Sequence, residues 1–249
     1  MSRTVAKCDL DLLDESCEKI GCCVYEAEKL ARVTHVFDMD GFIVAGKFHA
    51  KEICLLDVVH NVAWRADVLL PGPYHKLPAK DQARVKYCTH KVHGMFWVNY
   101  TPEQWCDERR MVLRDAESVG RAIKRCLDMW REDNGRPVLV AYKGGTFERD
   151  LLVTLGEAWI DLNDYACPKF DFLVGNQYYA NIERTSAPLS RVRRTTDTDF
   201  VCDLHRAADR PHWHCPVVEC RVFARWIRYA VESASEQASS RNSDVSNNV

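Results

Sequence analysis

The stretch Val33-Thr-His-Val-Phe-Asp-Met-Asp40 decides the fold class, because its β-branched and aromatic residues predict a buried strand that ends in two acids. Two further apolar stretches follow at 52–59 and 66–70. Glycines and the Pro71-Gly-Pro73 tripeptide separate or close these stretches, as turns require. Three short strands in about forty residues predict an antiparallel meander.

The rest of the chain alternates helices with strands. Apolar residues at helical spacing predict a helix over 103–131, a short strand over 138–142 and a helix over 147–155. A strand end follows at Trp159, and Pro216 is suited to the first position of a last amphipathic helix. The pattern indicates one α/β domain over 32–232, an N-terminal arm over 1–31 and a disordered, Ser- and Asn-rich tail over 233–249.

Composition excludes several classes of protein. The 249 residues include 34 Lys and Arg against 36 Asp and Glu, and 47% are hydrophobic, which is too many for a disordered chain. Near-neutral charge argues against a protein that coats nucleic acid over its whole surface. With no signal-peptide core and no apolar run of about 20 residues, we expect an intracellular protein, cytoplasmic or nuclear, that is not in a membrane.

Two groups of polar residues, near the two ends of the domain in the sequence, are candidates for metal binding and acid–base catalysis. Asp38 and Asp40 flank one residue of the first strand, so alternation places both carboxylates on one face, as a Mg²⁺ or Mn²⁺ site requires. His214 and Glu219 lie at the start of the last helix. An imidazole there is suited to act as a general base beside a carboxylate.

The twelve cysteines include candidate zinc ligands. Cys202 and His205 have the spacing with which one loop supplies two tetrahedral ligands, and Cys215 is a candidate third. The spacing leaves the fourth ligand open, and the candidates are Glu52, His212 and Cys220. A second group, Cys88, His90 and His93, is interpreted as hydrogen-bonded loop residues rather than as a metal site.

Taken together, these residues resemble the DEDDh, DnaQ-like exonucleases of the ribonuclease H-like fold, over roughly residues 33–231. Asp38 and Asp40 match the acid-x-acid of the family, and the shape of its middle motif favours Glu148 over Asp150. His214 and Glu219 match the final His and acid. The chain has Asp at 40 where the family has Glu, and Glu at 219 where it has Asp.

The Cys and His pattern resembles a zinc-bearing subset that includes the exonuclease domain of arenavirus nucleoproteins and the Maelstrom domain. This resemblance implies a structural zinc ion held by Glu52, Cys202, His205 and Cys215. It also implies a mixed sheet flanked by helices. Because Maelstrom-type domains have lost the catalytic acids, a catalytically inactive binding module for nucleic acid or protein is the alternative expectation.

The resemblance implies 3′–5′ exonuclease activity on RNA or DNA, single- or double-stranded, with RNA slightly preferred. Two Mg²⁺ or Mn²⁺ ions would be held by Asp38, Asp40, Glu148 and Glu219, with His214 as the general base. We expect Lys143 to lie near the substrate strand, and we interpret the basic run 191–194 as a solvated loop.

Overall fold

A computed structural model describes residues 26–92, 95–99, 111–170, 173 and 215–246. The strands are β1 (His35–Val44), β2 (Lys47–Asp57), β3 (Val62–Val68), β4 (Met111–Leu113), β5 (Val140–Tyr142) and β6 (Trp159–Asp161). The helices are α1 (Ala79–Lys91), α2 (Ala116–Asn134), α3 (Thr146–Leu155) and α4 (Pro216–Ser246), with short 3-10 turns at Tyr74–Lys76 and Leu162–Tyr165.

The strands form one mixed sheet in the order β4-β3-β2-β1-β5-β6. Strands β1, β2 and β3 are antiparallel neighbours, which confirms the predicted meander. Strand β5 runs parallel to β1, and β6 runs parallel to β5. The described residues therefore form an α/β fold in which β1 is the strand that joins the antiparallel meander to the parallel strands β5 and β6.

Helices cover both faces of this sheet. On one face, Phe37 and Ile53 pack in a core with Ile123 and Leu127 of α2, each of which is inaccessible to solvent. On the other face, Val36, Cys54 and Leu56 pack against α4. Burying each large aliphatic side chain contributes about 1.5–3 kcal/mol, so this two-sided core holds β1 rigidly in place.

A register shift in the β1–β2 ladder lies directly beside Asp40. Asp40 pairs with Glu52, but Gly41 pairs with Ala50, so Lys51 is an extra residue in β2. A Cβ atom on Gly41 would lie 2.1 Å from the backbone oxygen of His49, so only glycine fits here. Bulges of this kind bend a strand and reorient the neighbouring side chains.

Strand β1 continues past its two acids to Val44, and two predicted helix boundaries also differ from the structure. Residues 111–113 form strand β4 instead of part of a helix, and α2 begins at Ala116. The reason is a capping box, in which the Asp115 carboxylate accepts from the Ser118 backbone N–H while the Ser118 hydroxyl accepts from the Asp115 backbone N–H.

The second difference concerns the predicted disordered tail. Helix α4 continues past Ser233 to Ser246. Its first half is buried against the sheet through residues such as Val222 and Trp226. Once a helix is nucleated, adding Ala, Ser, Glu and Arg residues has little free-energy cost, so the helix extends into the polar sequence. In the part of the chain that the structure describes, no helix has the length and apolar character needed to cross a membrane.

Candidate metal centre

Three carboxylates from two distant parts of the sequence meet at one place. Asp38 and Asp40 come from β1, and Glu219 comes from the first turn of α4. One oxygen from each of these residues lies within 4.8 Å of the other two. Carboxylates at this separation repel one another unless a proton or a cation is shared between them.

Burial makes this repulsion costly. Burial raises the pKa of Asp38 well above its usual value, and the neighbouring charges of Glu219, Asp40 and Glu148 raise it further. The Oδ2 atom of Asp38 is shielded from solvent and has no hydrogen-bond partner among the described residues. A buried acceptor in this state is an available ligand for a cation.

Glu148 is directed toward the same cluster from helix α3. Its carboxylate accepts a hydrogen bond from the backbone N–H of Met39, the residue between Asp38 and Asp40. Burial raises the pKa of Glu148, and the charges of Glu219 and Asp161 act in the same direction, although hydrogen bonds from backbone N–H groups oppose the shift. Its Oε2 atom is also buried, with no hydrogen-bond partner in the described part of the chain.

Asp150, the second candidate for the middle acid, lies elsewhere. Its side chain is 66% exposed and forms an ion pair with Arg149. Glu148, by contrast, is only 7% exposed. The structure thus places Glu148 near the acidic cluster, where its charge acts on Asp38, and Asp150 on the surface.

Gly145, at the N-cap of α3, makes the position of Glu148 possible. The side chain of Glu148 folds back over Gly145, where a Cβ atom would lie 1.5 Å from Oε2 and 2.3 Å from Cδ. The Gly145 backbone has φ −80° and ψ 128°, which any L-residue adopts. Alanine at 145 would therefore displace the carboxylate without straining the backbone.

We expect Gly145→Ala to weaken Mn²⁺ binding about tenfold or more, because it displaces Glu148 while every acid remains. Titration with Mn²⁺, followed by calorimetry, measures the affinity. Gly72→Ala is the matched control, since a Cβ atom there meets nothing within 4 Å. Equal Mn²⁺ affinity in both variants would show that the position of Glu148 does not matter to the site.

Lys143 lies at the end of β5, next to these acids in the fold. Its ammonium donates to the Asn163 Oδ1 atom at 2.8 Å and to the Cys167 carbonyl at 2.6 Å. Burial lowers the pKa of Lys143, and the charges of Cys167, Asp161 and Glu219 act against that shift. These contacts tie β5 to the loop after β6, so Lys143 has a structural role in addition to any contact with a substrate.

Only part of the predicted zinc site lies in the described residues. Glu52 is buried opposite Asp40 on β2, and Cys215 is buried just before α4. Cys220, an alternative fourth ligand, is fully buried and donates its thiol hydrogen to the carbonyls of Val36 and Cys54. It therefore belongs to the core under α4.

The remaining predicted residues lie outside the described part of the chain. They are His93, Arg191, Arg193, Arg194, Cys202, His205, His212 and His214. The zinc ion and the general base consequently stay predictions.

Sequence reasoning missed three features around the cluster. The first is the Met39 backbone N–H, and the second is the space above Gly145. The third is a stacked pair of aromatic rings, Phe48 and Phe147, next to Glu148. Gly145 lies three residues before Glu148, and a glycine at that spacing from an acid is a weak signal. A stack between residues that are distant in the sequence leaves no local signal.

Comparisons with protein-family models, with curated proteins and with solved structures find no match to this chain. The geometry and chemistry of the acidic cluster are therefore the basis for assigning a function.

Proposed function

We propose that this protein binds Mg²⁺ or Mn²⁺ at Asp38, Asp40, Glu148 and Glu219 and hydrolyses phosphodiester bonds at the 3′ end of RNA or DNA. The observation that carries the proposal is the convergence of three carboxylates within 4.8 Å of one another, from β1 and α4, which are far apart in the sequence. A purely structural role would not explain why a partly buried site gathers like charges.

The donor set fits a hard divalent cation. All four candidate ligands are carboxylates, and oxygen ligands are those that Mg²⁺ and Mn²⁺ prefer. The solvent-shielded Oδ2 of Asp38 and Oε2 of Glu148 supply acceptors that a cation would satisfy. A bound cation would also remove the mutual repulsion that raises the pKa of Asp38.

The sheet supports the proposed reaction class. Antiparallel β1, β2 and β3 followed by parallel β5 and β6 are compatible with the ribonuclease H-like fold that the resemblance implies. In this arrangement the acids of β1 lie beside the N-terminus of α3, which carries Glu148, and beside the first turn of α4. Both helix N-termini are favourable places for anionic groups, including a phosphate.

Each group has a separate task in the proposed reaction. A bound divalent cation supplies a Lewis acid for the phosphodiester and lowers the pKa of a water molecule. Asp38, Asp40 and Glu219 hold the site in shape, and Glu148 completes it from α3. His214, just before Cys215, is proposed to accept the proton of the attacking water, as the resemblance implies.

Degradation of a 5′-labelled single strand tests the proposal. With Mn²⁺ present, we expect a ladder of products shortened one nucleotide at a time from the 3′ end, for RNA, DNA or both. Asp38→Asn should abolish the ladder, because it removes a ligand and leaves the residue's volume unchanged.

Two results would contradict the proposal. Equal degradation by the wild type and Asp38→Asn would show that the nuclease is a contaminant or uses another site. Binding without degradation at any Mn²⁺ concentration would favour the catalytically inactive binding module.

A further inference from the structure

Cys220 directly follows Glu219, the acid that α4 contributes to the metal centre. Its side chain is inaccessible to solvent. The Sγ atom of Cys220 lies 3.5 Å from the carbonyl oxygen of Val36 on β1 and 3.6 Å from that of Cys54 on β2. One sulfur atom thus lies between the start of α4 and two neighbouring strands of the sheet.

Both carbonyls belong to residues that are close to Asp38 in the sheet. Val36 lies two residues before Asp38 on β1, and Cys54 is the partner of Asp38 across the β1–β2 ladder. Burial raises the pKa of the Cys220 thiol well above its usual value. The hydrogen-bonded Cys54 thiol and the charges of Asp38 and Glu219 raise it further. The Cys220 thiol is thus a neutral hydrogen-bond donor whose surroundings include acids from both halves of the metal centre.

The sheet is a fixed reference for these contacts. Val36 pairs with Leu56 on β2 and with Ala141 on β5, and all three residues are inaccessible to solvent. The first turn of a helix, by contrast, has the fewest intrahelical hydrogen bonds. Contacts with the sheet therefore determine where the start of α4 lies, and with it the carboxylate of Glu219.

We propose that Cys220 is a positioning residue, whose sulfur atom sets the distance of the Glu219 carboxylate from Asp38 and Asp40. This inference rests on the metal centre of the proposed function. A thiol is a weak donor, so its hydrogen bonds contribute little to stability. Its effect is geometric, because removal of Sγ leaves a space under α4 and allows Glu219 to move relative to β1.

Calorimetric titration with Mn²⁺ compares the wild type with Cys220→Ala and Ile227→Val. We expect Cys220→Ala to bind Mn²⁺ about tenfold more weakly, as is usual when a group that orients a metal ligand is lost. Ile227→Val is the matched control, because it also removes one heavy atom from a buried side chain of α4 in the same core. It should keep the affinity of the wild type. Thermal unfolding with a chelator measures the stability of each variant.

Three further variants separate positioning from packing. In a Glu219→Gln background, Cys220→Ala should change the Mn²⁺ affinity by less than about twofold, because the ligand through which it acts is gone. Cys220→Ser should recover most of the affinity that Cys220→Ala loses, since the hydroxyl donates to the same carbonyls. Cys220→Val fills the space without a donor and should bind Mn²⁺ weakly, so it replaces Cys220→Ala if that variant does not fold.

Several results would overturn the positioning role alone while hydrolysis by the wild type stays intact. They are wild-type affinity in Cys220→Ala or Cys220→Val, an equal loss of affinity in Ile227→Val, no recovery in Cys220→Ser, and the full tenfold loss in the Glu219→Gln background. If the wild type binds Mn²⁺ but hydrolyses no strand, only the proposed reaction is wrong, and the expected pattern of affinities still supports the role of Cys220. Absence of Mn²⁺ binding by the wild type would overturn the metal centre and this inference together.

Discussion

Glu148→Gln is expected to reduce the hydrolysis rate by at least about 100-fold, whereas Asp150→Asn leaves the rate within about twofold of the wild type. Changing a group that only supports a metal ligand already costs about 10–100-fold, and Glu148 is proposed to be a ligand itself. Asp150 is exposed and pairs with Arg149, so its charge is screened by solvent. Initial rates on a labelled single strand measure both variants.

These two variants form a close pair, because each removes one negative charge from the same helix. Any general effect of charge on substrate binding would therefore appear in both. Glutamine keeps the shape of Glu148 and its hydrogen bond from the Met39 N–H, so the fold should be unchanged. A larger loss of rate in Asp150→Asn than in Glu148→Gln would refute the assignment of the middle acid.

Asp38→Asn is expected to be inactive and, without metal, more stable than the wild type. Burial and the charges of Glu219, Asp40 and Glu148 all disfavour the ionised form of Asp38. Removing that ionised group should raise the free energy of unfolding at pH 7.5. For a chain of this size, the Tm would rise by about 2–4 °C per kcal/mol. Thermal unfolding in the presence of a chelator measures the difference.

The pH dependence of this stabilisation has a definite sign. The pKa of Asp38 is raised by folding, so the folded protein binds a proton more readily than the unfolded chain does. The wild type therefore gains stability as the pH falls through this raised pKa toward the usual carboxyl range. The advantage of Asp38→Asn should be largest near neutral pH and should shrink as the solution becomes more acidic.

Saturating Mn²⁺ should reverse the order of stability. The wild type gains free energy of unfolding by binding the ion, and the gain grows with the logarithm of the metal concentration. Asp38→Asn should gain much less. If Asp38→Asn is less stable than the wild type at neutral pH without metal, the Asp38 carboxylate stabilises the folded protein and the prediction is wrong.

Local pattern was sufficient to predict several parts of the structure. The alternation around Met39 places Asp38 and Asp40 on one face, and turn residues separate the strands of the meander. Pro216 marks the first residue of α4, as its fixed φ favours. These features depend on residues that are close together in the sequence, so the sequence alone is enough to predict them.

Other features depend on contacts between distant residues. The motif shape of the resembled family favours Glu148 over Asp150 as the middle acid, but the packing of the chain is what buries Glu148 and exposes Asp150. The Met111-Val-Leu113 stretch suits a helix or a strand, and pairing with β3 decides for the strand. The continuation of α4 beyond Ser233 depends on the burial of its first half against the sheet. Tertiary packing outweighs local propensity in each case.

The most direct test of the metal centre is calorimetric titration of the wild type and Glu219→Gln with Mn²⁺ at pH 7.5. Glu219 is far from Asp38 and Asp40 in the sequence, and folding brings one of its carboxylate oxygens within 4.8 Å of an oxygen of each. We predict saturable binding to the wild type and an affinity at least about tenfold weaker for Glu219→Gln. Identical binding isotherms for the two proteins would contradict a metal site built jointly by β1 and α4.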